Sequence, residues 1–194
     1  MPKLADYTYE AARDVLDGIP IDVRADIYVL SLFVYDEDDD PRRPTVRVGF
    51  NTESDVARSA DPAEAFSTDE HEARWNYAFW CQNELALICD TESDAEGARL
   101  REQWARHEGL WYDLVDDESP DFEDLDERLT NGFVSLLEGV VQRLHAADII
   151  RIFGKPLPVL IHELEYYDEI ASQNLRANPP GVVPDDFVRW CQGE

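Results

Sequence analysis

Apolar positions along the chain alternate between two periods, and the changes of period mark the elements. Leu4, Tyr7, Ala11, Val15 and Leu16 recur at close to 3.6 residues, which predicts a first helix that Gly18-Ile19-Pro20 stops. From Ile27 to Tyr35 the residues are β-branched, aliphatic or aromatic, and the run Asp36-Glu37-Asp38-Asp39-Asp40-Pro41 ends it. Thr45 to Phe50 alternates Val46, Val48 and Phe50 with polar or small residues. The two segments predict an antiparallel hairpin. Thr52 and its neighbours lead into a capped helix over 53–60.

The stretch from Glu72 to Cys89 fits both periods, and its pattern is read as a strand or irregular segment near Trp75, then a helix through Glu84. Residues 95–111 have a helical composition with Leu100, Trp104 and Trp111 near one face. The acidic stretch Asp113 to Asp126 is expected to be an exposed connection. Phe122, Leu125, Leu129, Phe133, Leu136, Leu137, Val140, Val141 and Leu144 then repeat at three and four, the strongest helix signal in the chain. Gly154-Lys155-Pro156 breaks the chain before Val159-Leu160-Ile161, a strand apolar enough to be expected at the centre of a sheet. Helices are predicted over 166–177, ending at Asn178-Pro179-Pro180, and over 185–191. The fold expected is α+β, a small mostly antiparallel sheet packed on one side by several helices, including one long amphipathic helix, in a single domain over 1–194.

Charge changes this picture most. Forty-three Asp and Glu against 17 Lys and Arg give a net charge of −26. Such a field repels polyanions, so nucleic acid and an anionic membrane face are excluded as expected partners and a basic protein is favoured. Lysine occurs only at positions 3 and 155. A Lys-poor, Asp-rich surface also suits a salt-adapted host, because carboxylates repel one another less in strong salt. Cys81, Cys89 and Cys191 form no CxxC pair, and an odd number argues against a closed disulfide framework. With no membrane-length apolar run and no basic-then-apolar start, a cytoplasmic location is expected. The sequence sets no oligomeric state.

Candidate chemistry is sparse. His162, Glu163 and Glu165 form the densest titratable group, but on a strand His162 shares a face with Leu164 while the acids share the other. The second His of an HExxH zinc site is missing, and no calcium-loop spacing, phosphate loop or GxSxG elbow occurs, so no metal or cofactor is expected. A Cys81/His162 pairing carries no sequence signature. Candidate partner-binding residues are the acids Asp36, Glu37, Asp38, Asp39 and Asp40, the acids Asp116, Asp117 and Glu118, and Trp75 and Trp80 of the aromatic cluster 74–80. Core packing is the leading expectation for that cluster, and a partner surface the other.

The segments Arg74-Trp75-Asn76 to Asn83-Glu84, Ile149-Ile150-Arg151 with Phe153-Gly154, and Ile161 to Asn178 resemble an uncharacterised bacterial family, a domain of unknown function of acidic proteins about two hundred residues long, associated with polymorphic-toxin immunity genes. The resemblance implies a small α+β protein without established catalytic residues that binds a toxin. The expected function is thus an acidic intracellular binding protein without catalytic activity. A small hydrolase-like enzyme using His162, Glu163 and Glu165, and a housekeeping protein of a salt-adapted host, stand as alternatives.

Overall fold

The computed structural model describes residues 3–64, 66–113 and 120–193. Its centre is a four-stranded sheet of β1 (Ile27–Asp36), β2 (Pro44–Thr52), β3 (Ala86–Ile88) and β4 (Val159–His162), in the order β3-β2-β1-β4. The pairs β1–β2 and β2–β3 are antiparallel and β1–β4 is parallel, so the sheet is mostly antiparallel and the fold α+β. The described helices are α1 (Leu4–Asp17), α2 (Ile21–Arg24), α3 (Glu53–Ser59), α4 (Glu70–Trp75), α5 (Ala95–His107), α6 (Pro120–Ala146), α7 (Asp168–Ala177) and α8 (Asp185–Cys191). None is long and apolar enough to cross a membrane.

Strand alternation divides the core in two. Leu30, Leu32 and Val34 of β1, Val46 and Val48 of β2 and Val159 and Ile161 of β4 face one cluster, closed by Leu4 and Leu16 of α1 and by Phe133, Leu137, Val140, Val141 and Leu144 of α6. Tyr28, Val29 and Leu160 face a second, built with Val56 of α3, Trp75 of α4, Ile170 of α7 and Phe187 of α8. The sheet is therefore covered on both faces, and the expectation of helices on one side describes only the α1/α6 half. A register shift between Ile27 and Val29 sends the adjacent residues Tyr28 and Val29 into the same second core.

Three local expectations are corrected. Residues 72–89 hold no strand at Trp75 and no helix through Glu84. The helix α4 ends at Trp75, the Asn76 side chain accepts from Ala78 N, a 3-10 turn covers Tyr77–Phe79, and a strand follows at Ala86. The long helix begins at Pro120, inside the connection expected over 113–126, as the fixed φ of proline allows at a first turn. The apolar strand β4 lies at an edge of the sheet rather than at its centre.

Candidate functional site

The parallel pairing of β1 with β4 sets Phe33 beside His162 and brings His162 Nε2 to 2.8 Å from Ser31 Oγ. Nδ1 of His162 lies 3.1 Å from the Glu163 carbonyl oxygen. That oxygen can only accept, so the proton sits on Nδ1, and Nε2 accepts from the serine hydroxyl. Rings of Phe33, Tyr77, Trp80 and Tyr166 stand 4.9–5.7 Å from the imidazole. The side chain is 0% exposed, and burial pushes its pKa down to about 4, so it is neutral at physiological pH. A serine on a histidine nitrogen is the starting geometry of a nucleophile. Here both residues are sealed beneath aromatic rings, and a peptide carbonyl stands where a triad has its carboxylate. The pair is a satisfied polar contact within the second core.

Beyond His162 the strand ends, and the chain turns outward. Glu163 is half-buried with its carboxylate 3.4 Å from the Tyr167 hydroxyl, while Glu165 is exposed. Burial raises the Glu163 pKa, and the hydrogen bond from Tyr167 opposes the shift. The three candidates His162, Glu163 and Glu165 thus share no cleft: one points into the core, one lies against the sheet end, and one lines the outside. At the adjoining end of β1, Asp36 is half-buried; burial, and then the neighbouring charge of Glu163, push its carboxyl up to about 6.

The acidic run 36–40 divides by partner. Glu37 is buried, accepts from Thr91 N at 3.0 Å and Thr91 Oγ1 at 2.8 Å, and lies 3.4 Å from Nη1 of buried Arg101. Asp40 takes the Nε and Nη2 of Arg42 at 2.8 and 2.7 Å, and this pairing holds its carboxyl below the usual range. Asp38 meets Arg43 at 3.2 Å, and Asp39 is exposed. Only the tip of the run at Asp38 and Asp39 reaches freely into solvent.

Trp75 and Trp80, candidates for a partner surface, are 1% and 4% exposed. Their indole N–H groups donate to Asp186 Oδ2 and to the Arg74 carbonyl, and both rings pack edge-on against Tyr28. They belong to the second core, because rings at this density supply the apolar area that closes the α3/α4/α8 layer. Asp116, Asp117 and Glu118 lie outside the described residues.

The exposed apolar surface that sequence reasoning missed is next to His162. Leu164 is 64% exposed and Tyr167 42%. They sit among Glu163, Glu165, Asp168 and Glu169, none of which has an ion-pair partner among the described residues. Leu164, Glu165 and Tyr166 line a cleft of about 560 Å³ whose opposite wall holds Asn76 and Trp190. Extending β4 through Glu163 had placed Leu164 on the face of His162. The strand stops at His162, and the turn that follows leads Leu164 out to solvent.

Elsewhere the positive charge is consumed. Among the described residues every arginine except Arg24 and Arg189 lies within ion-pair distance of a carboxylate of the chain. Arg24 instead donates to the carbonyls of Asp17 and Ile19. The charge left over is almost wholly carboxylate. No group of three or more His, Cys, Asp or Glu among the described residues is arranged to hold a metal ion. Comparison with protein-family models, with curated proteins and with solved structures gives no match.

Proposed function

We propose that this chain is a non-catalytic, cytoplasmic binding protein for a basic protein partner, of the toxin-neutralising kind. The observation that carries the reading is exposed Leu164, set between Glu163 and Glu165 at a cleft that Glu165 and Tyr166 line opposite Asn76 and Trp190. An apolar side chain surrounded by unpaired acids offers desolvation and charge to the same ligand, and a basic segment with an apolar or arginine anchor satisfies both. The net charge of −26 adds long-range attraction, which speeds encounter with a cationic partner and weakens with salt.

The test is affinity capture on the immobilised chain with elution along a salt gradient, run in parallel with a charge-neutral Leu164→Ser/Tyr167→Ser variant. A basic protein that elutes late from the native chain and early from the variant supports the reading. Equal elution from both removes the contact from this face, and absence of any basic protein in the eluate overturns the function itself.

A further inference from the structure

A cleft of about 500 Å³ lies between the C-terminal end of α6, the 3-10 turn Ile149–Phe153 and the segment that follows α7. Its charged and titratable lining is His145, Arg151 and Lys155, and no Asp or Glu lines it, although 43 of the 194 residues are acids. Gly154 ends the 3-10 turn at φ 72° and reverses the chain, which brings Lys155 to the same cavity as Arg151. Ile150, Val182 and the rings of Pro156 and Pro179 supply the apolar walls.

Each of the three polar side chains keeps hydrogen-bonding capacity that solvent reaches. Lys155 is exposed, its Nζ donates to the Ala25 carbonyl at 3.1 Å, and it makes no ion pair among the described residues, so two of its three N–H groups are unused. The Arg151 side chain is 79% exposed and meets Asp148 through Nη1 alone, at 3.2 Å. Its Nε–Nη2 edge has no partner among the described residues. A pair between side chains this exposed contributes little and does not hold the guanidinium in place.

His145 presents an acceptor. Its Nε2 lies 3.0 Å from Asn178 Oδ1, the oxygen that also accepts from Val159 N, while Asn178 Nδ2 donates to the carbonyls of Val159 and Asn174. The backbone of β4 and α7 thus fixes the amide, the imidazole proton sits on Nε2, and Nδ1 carries the lone pair. Nδ1 reaches solvent and makes no hydrogen bond among the described residues. Burial of the ring pushes its pKa down, so at physiological pH that nitrogen accepts from a hydroxyl and does not attract an anion.

We propose that this cleft binds a small phosphomonoester bearing a free hydroxyl, with the phosphate on Lys155 and Arg151 and the hydroxyl donating to Nδ1 of His145. Two cations suit a phosphate dianion, and the exclusion of acids from the lining spares it the repulsion it meets elsewhere on this surface. The carbon skeleton lies against Ile150 and the proline rings, in a volume suited to a small metabolite. The cleft shares no residue with the Leu164 face, so the proposal stands whatever protein binds there.

The experiment is a long-range ¹H–¹⁵N titration of the imidazole nitrogens of the full chain, above the imidazole range and at constant ionic strength. Glycerol phosphate and ribose phosphate are the probes, with glycerol, inorganic phosphate and chloride as the other arms. The ring is assigned by its absence from His145→Gln, which keeps a donor for Asn178. A saturating upfield shift of Nδ1 with either ester, absent with glycerol and chloride and weaker in affinity with inorganic phosphate, is expected. Lys155→Gln and Arg151→Gln are each expected to bind about tenfold more weakly or worse, as the loss of a hydrogen bond to a charged group implies. Both side chains are exposed, so both variants are expected to fold, with an unchanged melting temperature as the check. An Nδ1 unmoved by both esters, equal affinity for inorganic phosphate, or undiminished binding to both variants overturns the proposal.

Discussion

Asn178 makes with Val159 both hydrogen bonds that a neighbouring strand would make: Val159 N donates to Asn178 Oδ1 at 2.9 Å, and Asn178 Nδ2 donates to Val159 O at 2.9 Å. One turn earlier on α7, Asn174 does the same for Ile161 at 2.7 and 2.8 Å. Residues i and i+4 of a helix are separated by about 6 Å along its axis, and residues i and i+2 of a strand by about 6.6 Å, so two asparagines one turn apart match alternate residues of the strand. The outer edge of β4 is thereby closed by side chains. On β2, beyond the stretch that the short edge strand β3 pairs, Asn83 accepts from Phe50 N at 3.0 Å and donates to Phe50 O at 2.6 Å. A Cβ on Gly49 would come within 2.9 Å of Asn83 Oδ1, which is why glycine precedes Phe50. Sheet edges closed in this way offer no template for pairing with a second chain.

Asn174→Ala leaves the N–H of Ile161 buried without a partner, while the Ile161 carbonyl keeps the donor Gln173 Nε2 at 2.8 Å. A loss of about 2–3 kcal/mol is expected in urea unfolding, together with faster exchange of the Ile161 amide proton. Unchanged exchange at Ile161 would show that α7 does not close the edge.

This edge also marks where the sequence stopped being legible. Hydrophobic period located α1, β1, β2, α7, α8 and the long helix within a few residues, because each buries a face against a neighbour and period reports burial. It placed β4 at the centre because a strand with no polar outer face ordinarily has two strand neighbours. Here one neighbour is a pair of asparagine amides, a role that composition assigns to a helix end. At residues 72–89 period failed for a different reason: Trp75, Tyr77 and Trp80 are buried from a short helix, a 3-10 turn and a loop, so no single repeat relates them. In the candidate site, strand alternation carried past the end of β4 at His162 pairs His162 with Leu164 and Glu163 with Glu165, whereas Leu164 is exposed and the two acids are buried to different extents. The placement of all three depends on where β4 ends.

The run 36–40 makes a graded prediction from five similar side chains. Glu37→Ala orphans Thr91 and leaves Arg101 without its counter-ion in a buried setting, a loss of about 3–5 kcal/mol. Asp38→Asn and Asp39→Asn at the exposed tip are expected to change stability by less than about 0.5 kcal/mol. Chemical denaturation of the three variants checks this; similar values for all three would mean that Glu37 is not a structural residue.

Asp36 and His162 give opposite acid responses. The folded-state carboxyl of Asp36 is raised from 3.8 to about 6, so in that window the native chain holds a proton that the unfolded chain has released. Its ionisation therefore lowers stability as pH rises, and Asp36→Asn is expected to stabilise the protein at pH above 6 by about 1–2 kcal/mol after allowance for solvent screening. The advantage disappears below the ordinary carboxylate range. The imidazole of His162 is lowered from 6.5 to about 4, so as pH falls through that window the unfolded chain binds a proton that the native chain refuses, and stability falls. His162→Gln is expected to lose stability at neutral pH through lost packing, yet to show a flatter decline on acidification. Urea unfolding of both variants across this range separates the two slopes.

Salt distinguishes a binding surface from adaptation to habitat. With 43 acids against 17 basic residues, mutual repulsion of surface carboxylates outweighs the exposed ion pairs, each of which contributes little and is itself screened. The Debye length falls from about 10 Å at 0.1 M to about 3 Å at 1 M, so most of this repulsion is removed at moderate ionic strength. Two packed cores on a shared sheet supply stability that does not depend on salt. The melting temperature is therefore expected to rise by several degrees over the first few tenths molar of sodium chloride and then to level off, the chain remaining folded at low salt. Unfolding on removal of salt, with stability still climbing into the molar range, would mean that the carboxylates serve a salt-adapted host, and the excess charge around Leu164 would then need no basic partner to explain it.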